Sequence, residues 1–127
     1  WEKDAETTAH FRRFARIHGA LFDTFRRLAD EAQADSAPIV RHLMLVFPED
    51  RATWDVHDQY MLGEELLVAP VLTEGATTRS VYLPEGPWVH LFTGETFTGP
   101  ATVTVDAPIG TPAVFGRTDR DDLRAIE

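Results

Sequence analysis

The sequence predicts an α+β chain, in which a long helix and a buried strand precede a small antiparallel β-sheet or sandwich. Three observations predict it. Residues 5–34 repeat apolar side chains at helical steps. Residues 38–47 form a nearly unbroken apolar run. From Leu66 onward, short apolar stretches alternate with glycine- and proline-bearing turn signals. The texture changes between residues 50 and 65, so two architectures meet there.

The helix over 5–34 rests on Phe11, Phe14, His18, Leu21, Phe22, Phe25, Leu28, Ala29 and Ala32. They recur at three- and four-residue steps, which stacks them on one side of a helix. Arg12, Arg13, Arg16, Asp23, Arg26, Arg27 and Asp30 fall largely on the other side. Asp4 or Thr7 is expected to cap the start, because a short oxygen-bearing side chain accepts from the free amides of the first turn. The helix is expected to stop near Asp35, since Pro38 disfavours helical geometry in the residue before it.

Ile39, Val40, Leu43, Met44, Leu45, Val46 and Phe47 lack clean alternation. The expectation for 38–47 is a strand buried on both faces, as parallel strands are. A helix, a short link and such a strand make half of a repeating α/β unit, which needs neighbouring strands to stand. A Phe47-Pro48-acid turn follows, then a short helical stretch carrying Asp58 and Gln59.

Strands are expected over 66–72, 79–84, 88–92, 101–108 and 112–117. Glu74-Gly75, Glu85-Gly86-Pro87, Thr93-Gly94-Glu95 and Thr98-Gly99-Pro100 are the turns between them. Val68 is expected in the core of a central strand, with Pro70 at an edge or bulge because it lacks an amide hydrogen. Thr102, Thr104 and Asp106 alternate with Val103 and Val105, which predicts a solvated face. The charged tail over 118–127 is expected to fray.

With 127 residues, the chain has room for one modest domain. It opens on Trp1 rather than Met, so it is expected to be a segment of a longer polypeptide. A 43% hydrophobic and 26% charged composition makes a packed core feasible and wholesale disorder untenable. No apolar run reaches the roughly 18 residues of a membrane span. Without cysteine there is no disulfide framework and no thiolate zinc site, and a cytoplasmic home is favoured. A net charge of -9 disfavours nucleic acid and anionic membranes as partners.

Four ordered motifs carry a family resemblance from about Trp1 to Arg117. Pro38, Arg41, His42, Leu43, Phe47, Pro48 and Asp50 match a Pro-x-x-Arg-Pro-Leu strand ending in Phe-Pro and an acid, with His42 where the pattern has proline. Asp58, Gln59, Tyr60, Gly63, Leu66, Leu67, Val68, Ala69, Pro70 and Val71 match a second motif. Val81, Tyr82, Leu83, Pro84, Gly86 and Trp88 match a third, and Pro112 to Arg117 the closing one. In this order the motifs resemble glycoside hydrolase family 31, the retaining α-glucosidase and α-xylosidase family.

The resemblance implies that residues 1–50 are the last helix and strand of a (β/α)8 catalytic barrel, 51–65 a connecting segment and 66–117 a proximal C-terminal β-domain. It implies hydrolysis of α-linked oligosaccharides or glycosides by two carboxylates, with no metal and no cofactor. Both catalytic aspartates are expected upstream of Trp1, so no catalytic residue is assigned within the chain. The isolated segment is expected to be inactive and to self-associate. The alternative is a free-standing β-rich carbohydrate-binding or interaction module with a helical arm.

Phe47, Glu49 and Asp50 are the substrate-adjacent candidates, because barrel active sites collect at the C-terminal ends of strands. Against that stands simple turn chemistry, which the acids serve equally well. Asp58 and Gln59 are expected to make backbone bonds rather than to touch substrate. Trp54, Tyr82, Trp88 and Phe92 have faces suited to sugar rings, but their strand spacing favours packing. His10, His18 and His42 form no coherent zinc ligand set, and His57 and His90 lack ligand spacing altogether.

Overall fold

A computed structural model describes residues 4–118. It divides into two compact units, the first ending at Ile39 and the second beginning at Val40.

The first unit is helical. Helix α1 (Ala5–Ala20) is capped by Asp4, whose Oδ1 accepts from Thr7 N at 2.6 Å. Helix α2 (Phe22–Asp35) follows after Leu21, where ψ is 3°. The single helix expected over 5–34 is therefore two. The ladder still crosses the joint, with Leu21 N–Ile17 O at 3.1 Å and Phe25 N–Leu21 O at 2.9 Å. Gly19, next to the joint, is the weakest helix former in this stretch. Ser36 ends α2 in the left-handed region at φ 63°, one residue past the expected stop at Asp35. None of the α1 side chains is buried, and Leu28 is the buried residue of α2.

The second unit is a six-stranded antiparallel sheet. Its strands are β1 (Val40–Arg41), β2 (Tyr60–Leu62), β3 (Leu66–Ala69), β4 (Thr78–His90), β5 (Thr96–Asp106) and β6 (Ala113–Arg117), in the order β1-β2-β3-β6-β4-β5. The last strand thus joins the β1–β3 meander to the β4–β5 hairpin. Leu67 lies opposite Met61 on one side and Phe115 on the other. The core gathers Leu43, Met61, Leu67, Val81, Leu83, Trp88 and Phe115.

The strand expected over 38–47 is corrected. Only Val40–Arg41 is extended, and it pairs antiparallel with β2. Leu43–Val46 is one helical turn, α3, capped by His42, whose Nδ1 accepts from Met44 N at 3.1 Å. Leu43 is buried, Met44 and Leu45 are exposed, and Val46 and Phe47 turn back inward. That is a helical rhythm, and a short apolar run does not reveal it by hydrophobicity alone. The helical stretch expected at Asp58 and Gln59 is also corrected, because that segment is irregular and leads into β2.

The two strands expected over 79–84 and 88–92 are one, β4, with a register shift between Leu83 and Gly86. Gly86 takes φ 124° at this bulge, so its glycine signals a kink and not a turn. Thr98-Gly99-Pro100 likewise lies inside β5, opposite the bulge. A Cβ on Gly99 would sit 1.9 Å from the Pro84 carbonyl oxygen, so only glycine fits that close approach. Pro100 is tolerated because β5 is an edge of the sheet.

Val68 is half-buried and not a core residue; Leu67 and Ala69 are the fully buried pair of β3. Pro70 follows the last residue of β3, where no ladder bond is required. Thr102, Thr104 and Asp106 are exposed as expected. From residue 119 the charged tail lies outside the described residues.

Candidate functional site

The turn after α3 is built from backbone bonds first. Phe47 N closes α3 on Leu43 O at 2.9 Å, and Asp50 N bonds to Phe47 O at 3.1 Å. Asp50 then caps a single 3-10 turn over Arg51–Thr53, its Oδ1 accepting from Ala52 N at 3.1 Å. Thr53 is fully buried and donates its hydroxyl to Asp50 O at 2.7 Å. Trp54 Nε1 donates to Pro48 O at 3.3 Å. Phe47 to Asp50 is thus a braced corner.

The second oxygen of Asp50 faces the sheet. Tyr82 of β4 donates its hydroxyl to Asp50 Oδ2 at 2.6 Å. Burial, then the hydrogen bond to Asp50 and its negative charge, push the Tyr82 phenol up to about 12. It therefore stays a neutral donor at ordinary pH. Buried Gln59 clamps the Tyr82 backbone: its Nε2 donates to Tyr82 O at 2.9 Å and its Oε1 accepts from Tyr82 N at 2.8 Å. The amide stands in for a strand neighbour at that position. Asp58 Oδ2 pairs with Arg79 at 2.6 Å, and its carbonyl oxygen accepts from the same guanidinium at 2.8 Å.

A groove of about 460 Å³ runs along this corner, lined by Val46, Phe47, Pro48, Glu49, Asp50, Tyr82, Glu85 and Pro100. All three sequence candidates, Phe47, Glu49 and Asp50, border it. Tyr82 and Glu85 were not among them. The Val-Tyr-Leu-Pro motif marked Tyr82 but not its direction, which only the β4 pleat reveals. At the groove's inner end Phe47 lies 6.3 Å from Trp88, and the Arg117 guanidinium lies 5.8 Å and 5.7 Å from their ring centres. A Cβ on Gly86 would come within 3.1 Å of that guanidinium.

The other tempting residues separate. Trp88 is buried and donates Nε1 to Pro84 O at 2.8 Å, a packing role as expected. Trp54 is 45% exposed and so departs from the packing expectation, while Phe92 is half-buried. His10 stacks near Phe14 at 4.6 Å and His18 near Phe25 at 5.3 Å. Among the described residues, no three His, Cys, Asp or Glu side chains converge on a common metal position.

His90 is the buried histidine. Its Nδ1 accepts from Phe92 N at 3.2 Å, and its ring lies 5.0 Å from that of Phe115. The proton of the neutral ring is therefore assigned to Nε2, which has no hydrogen-bond partner among the described residues. Burial lowers its pKa below the ordinary 6.5. The unfolded chain binds the proton first, so stability is present above pH 6.5 and drains away as pH falls below it toward the folded-state value. Melts across this window are expected to show a falling Tm that His90→Phe flattens; an identical slope in that variant contradicts the assignment.

Comparisons with known proteins bear on the whole chain. Residues 36–120 match the model of the family described as glycosyl hydrolase family 31 C-terminal domain. The sulfoquinovosidase of Agrobacterium fabrum is 40% identical, over 99% of this chain and 19% of its own length. That of Escherichia coli is 44% identical, over 95% of this chain and 18% of its own. The crystal structure of a GH31 α-xylosidase from a soil metagenome, complexed with xylose, superposes with TM-score 0.96 and 32% identity, over 100% of this chain and 19% of that one. The chain spans about a fifth of the length of these relatives.

Proposed function

The chain belongs to glycosyl hydrolase family 31, and from that premise we propose that it is the segment of a retaining α-glycosidase where the catalytic barrel passes into the proximal β-domain. The observation that carries this reading is the match of nearly the whole chain to under a fifth of a glycosidase. On this reading residues 1–50 end the barrel, 51–65 connect, and 66–117 form the β-domain. Strands β1 and β2 then tie the first two parts to the third, since both join the one sheet.

Retaining hydrolysis uses one carboxylate to attack the anomeric carbon and a second to protonate the leaving oxygen and then activate water. The barrel outside this chain supplies both. Asp50 is unsuited to either task, because its two oxygens already accept from Ala52 N and the Tyr82 hydroxyl. The contribution of this segment is structural: it closes the barrel and holds the Phe47–Asp50 corner at the C-terminal end of its last strand, beside the substrate. The substrate is an α-linked glycoside. The names of the two relatives above place sulfoquinovose glycosides beside glucosides and xylosides among the substrates to assay.

The exposed apolar side chains support a segment shaped for neighbours. Phe11 is 58% and Phe22 66% exposed on the helices. Each such side chain forgoes roughly 1.5–3 kcal/mol of burial, and clustered apolar surface is adhesive. The isolated 127-residue chain is expected to be inactive on aryl α-glycosides and to self-associate in light-scattering chromatography. The full-length enzyme is expected to turn over at least one of the aryl α-glucoside, α-xyloside and α-sulfoquinovoside. Turnover by the isolated chain, abolished by mutating one of its own acids, would sink the structural role.

A further inference from the structure

Tyr82 is held from two sides. Its backbone N–H and C=O are both taken by the Gln59 amide, and its hydroxyl reaches Asp50 Oδ2 at 2.6 Å. A hydrogen-bonded chain thus runs from Gln59, just before β2, through β4, to the corner that carries Phe47 and Glu49. We propose that Tyr82 is a positioning residue for the α-glycosidase reaction, acting through Asp50 to set Phe47 and Glu49 at the substrate groove. The inference rests on the α-glycosidase reading above and adds to it a residue from the β-domain.

Three observations separate this role from ordinary packing. First, the Tyr82 hydroxyl is spent on one atom of the corner, and that atom belongs to a carboxylate that also caps the next turn. Loss of the bond frees the corner without opening the core, because Tyr82 is only half-buried. Second, the anchor does not weaken with pH, since the phenol stays neutral up to about 12. Third, the corner divides its two acids. Asp50 is consumed as the anchor, whereas Glu49 is exposed on the groove and makes no hydrogen bond among the described residues. A carboxylate accepts from sugar hydroxyls, and the flat Phe47 ring suits the apolar face of a sugar. Their placement to within an ångström matters, because misplacement of that order costs up to about a hundredfold in rate.

The test uses the full-length enzyme with the aryl α-glucoside, α-xyloside and α-sulfoquinovoside. Tyr82→Phe is expected to lower kcat/KM on the order of ten- to a hundredfold with little change in Tm. Glu49→Gln is expected to act mainly on KM, as the loss of a substrate contact does. In a cycle, Tyr82→Phe added to Asp50→Asn is expected to cost no more than Asp50→Asn alone, because an amide offers one acceptor oxygen for two donors. If Tyr82→Phe does not fold, Asp50→Asn carries the same kinetic comparison. A purely structural role lowers Tm and leaves kcat and KM of the folded enzyme unchanged; that result, or additive losses in the cycle, overturns the positioning role alone. A wild-type enzyme that turns over none of the three glycosides overturns the α-glycosidase reading, and this inference with it.

Discussion

Leu67→Asp is expected to unfold the sheet. Leu67 is fully buried in β3, between Met61 of β2 and Phe115 of β6, both themselves fully buried. The substitution removes a leucine from a packed site, which alone costs about 2–5 kcal/mol. It also places a carboxylate among apolar neighbours, where it must ionise without a partner or take up a proton. The sum is comparable with the whole stability of a typical domain, about 5–15 kcal/mol. Thr104→Asp is the matched control. Thr104 is exposed on edge strand β5, opposite exposed Ser80, and the change is expected to stay within about 0.5 kcal/mol. Thermal melts of both variants in the full-length enzyme decide the point. Equal losses would mean that the two faces of the sheet are wrongly assigned.

Trp88→Ala is expected to cost about 3–5 kcal/mol. The side chain is fully buried and belongs to the core with Phe115 and Leu83. It has a second role, because its indole N–H satisfies the Pro84 carbonyl at the β4 bulge at 2.8 Å. Its removal leaves a cavity beneath Phe47 and Arg117 and an acceptor without its indole donor. Trp88→Phe separates the two effects. It keeps most of the apolar volume and loses the donor, for a cost nearer 1–2 kcal/mol. Denaturant titration of the three proteins measures the difference. A loss below about 1 kcal/mol in Trp88→Ala would contradict its place in the core.

The functional reading was legible where motifs are dense. Leu66 to Ala69, Val81 to Trp88 and Ala113 to Arg117 were read as strands, and strands they are. The candidate site was half legible. Phe47, Glu49 and Asp50 do border one groove, but their partner Tyr82 lies 32 residues from Asp50 along the chain. No local pattern encodes that pairing, because it depends on how β4 lies against the corner. The errors have a common source. Leu43–Val46 is apolar throughout, and its helical rhythm shows only in which side chains are covered. Gly86 and Gly99 were read as turns because glycine permits turns; here they permit a bulge and a close backbone approach instead.

By itself, the sequence determined the family, the helical first stretch capped by Asp4, the β-rich second half, and the alternation that leaves Thr102, Thr104 and Asp106 in solvent. These follow from short-range chemistry: side-chain period, capping oxygens and motif order. The tertiary structure decided that β6 enters the sheet between β3 and β4, that Leu67 and not Val68 fills the core, and that Asp50 spends its carboxylate on Tyr82. Those outcomes depend on which distant segments become neighbours. A strand's pattern specifies that one face is buried, but the register against its partners selects which face and against what.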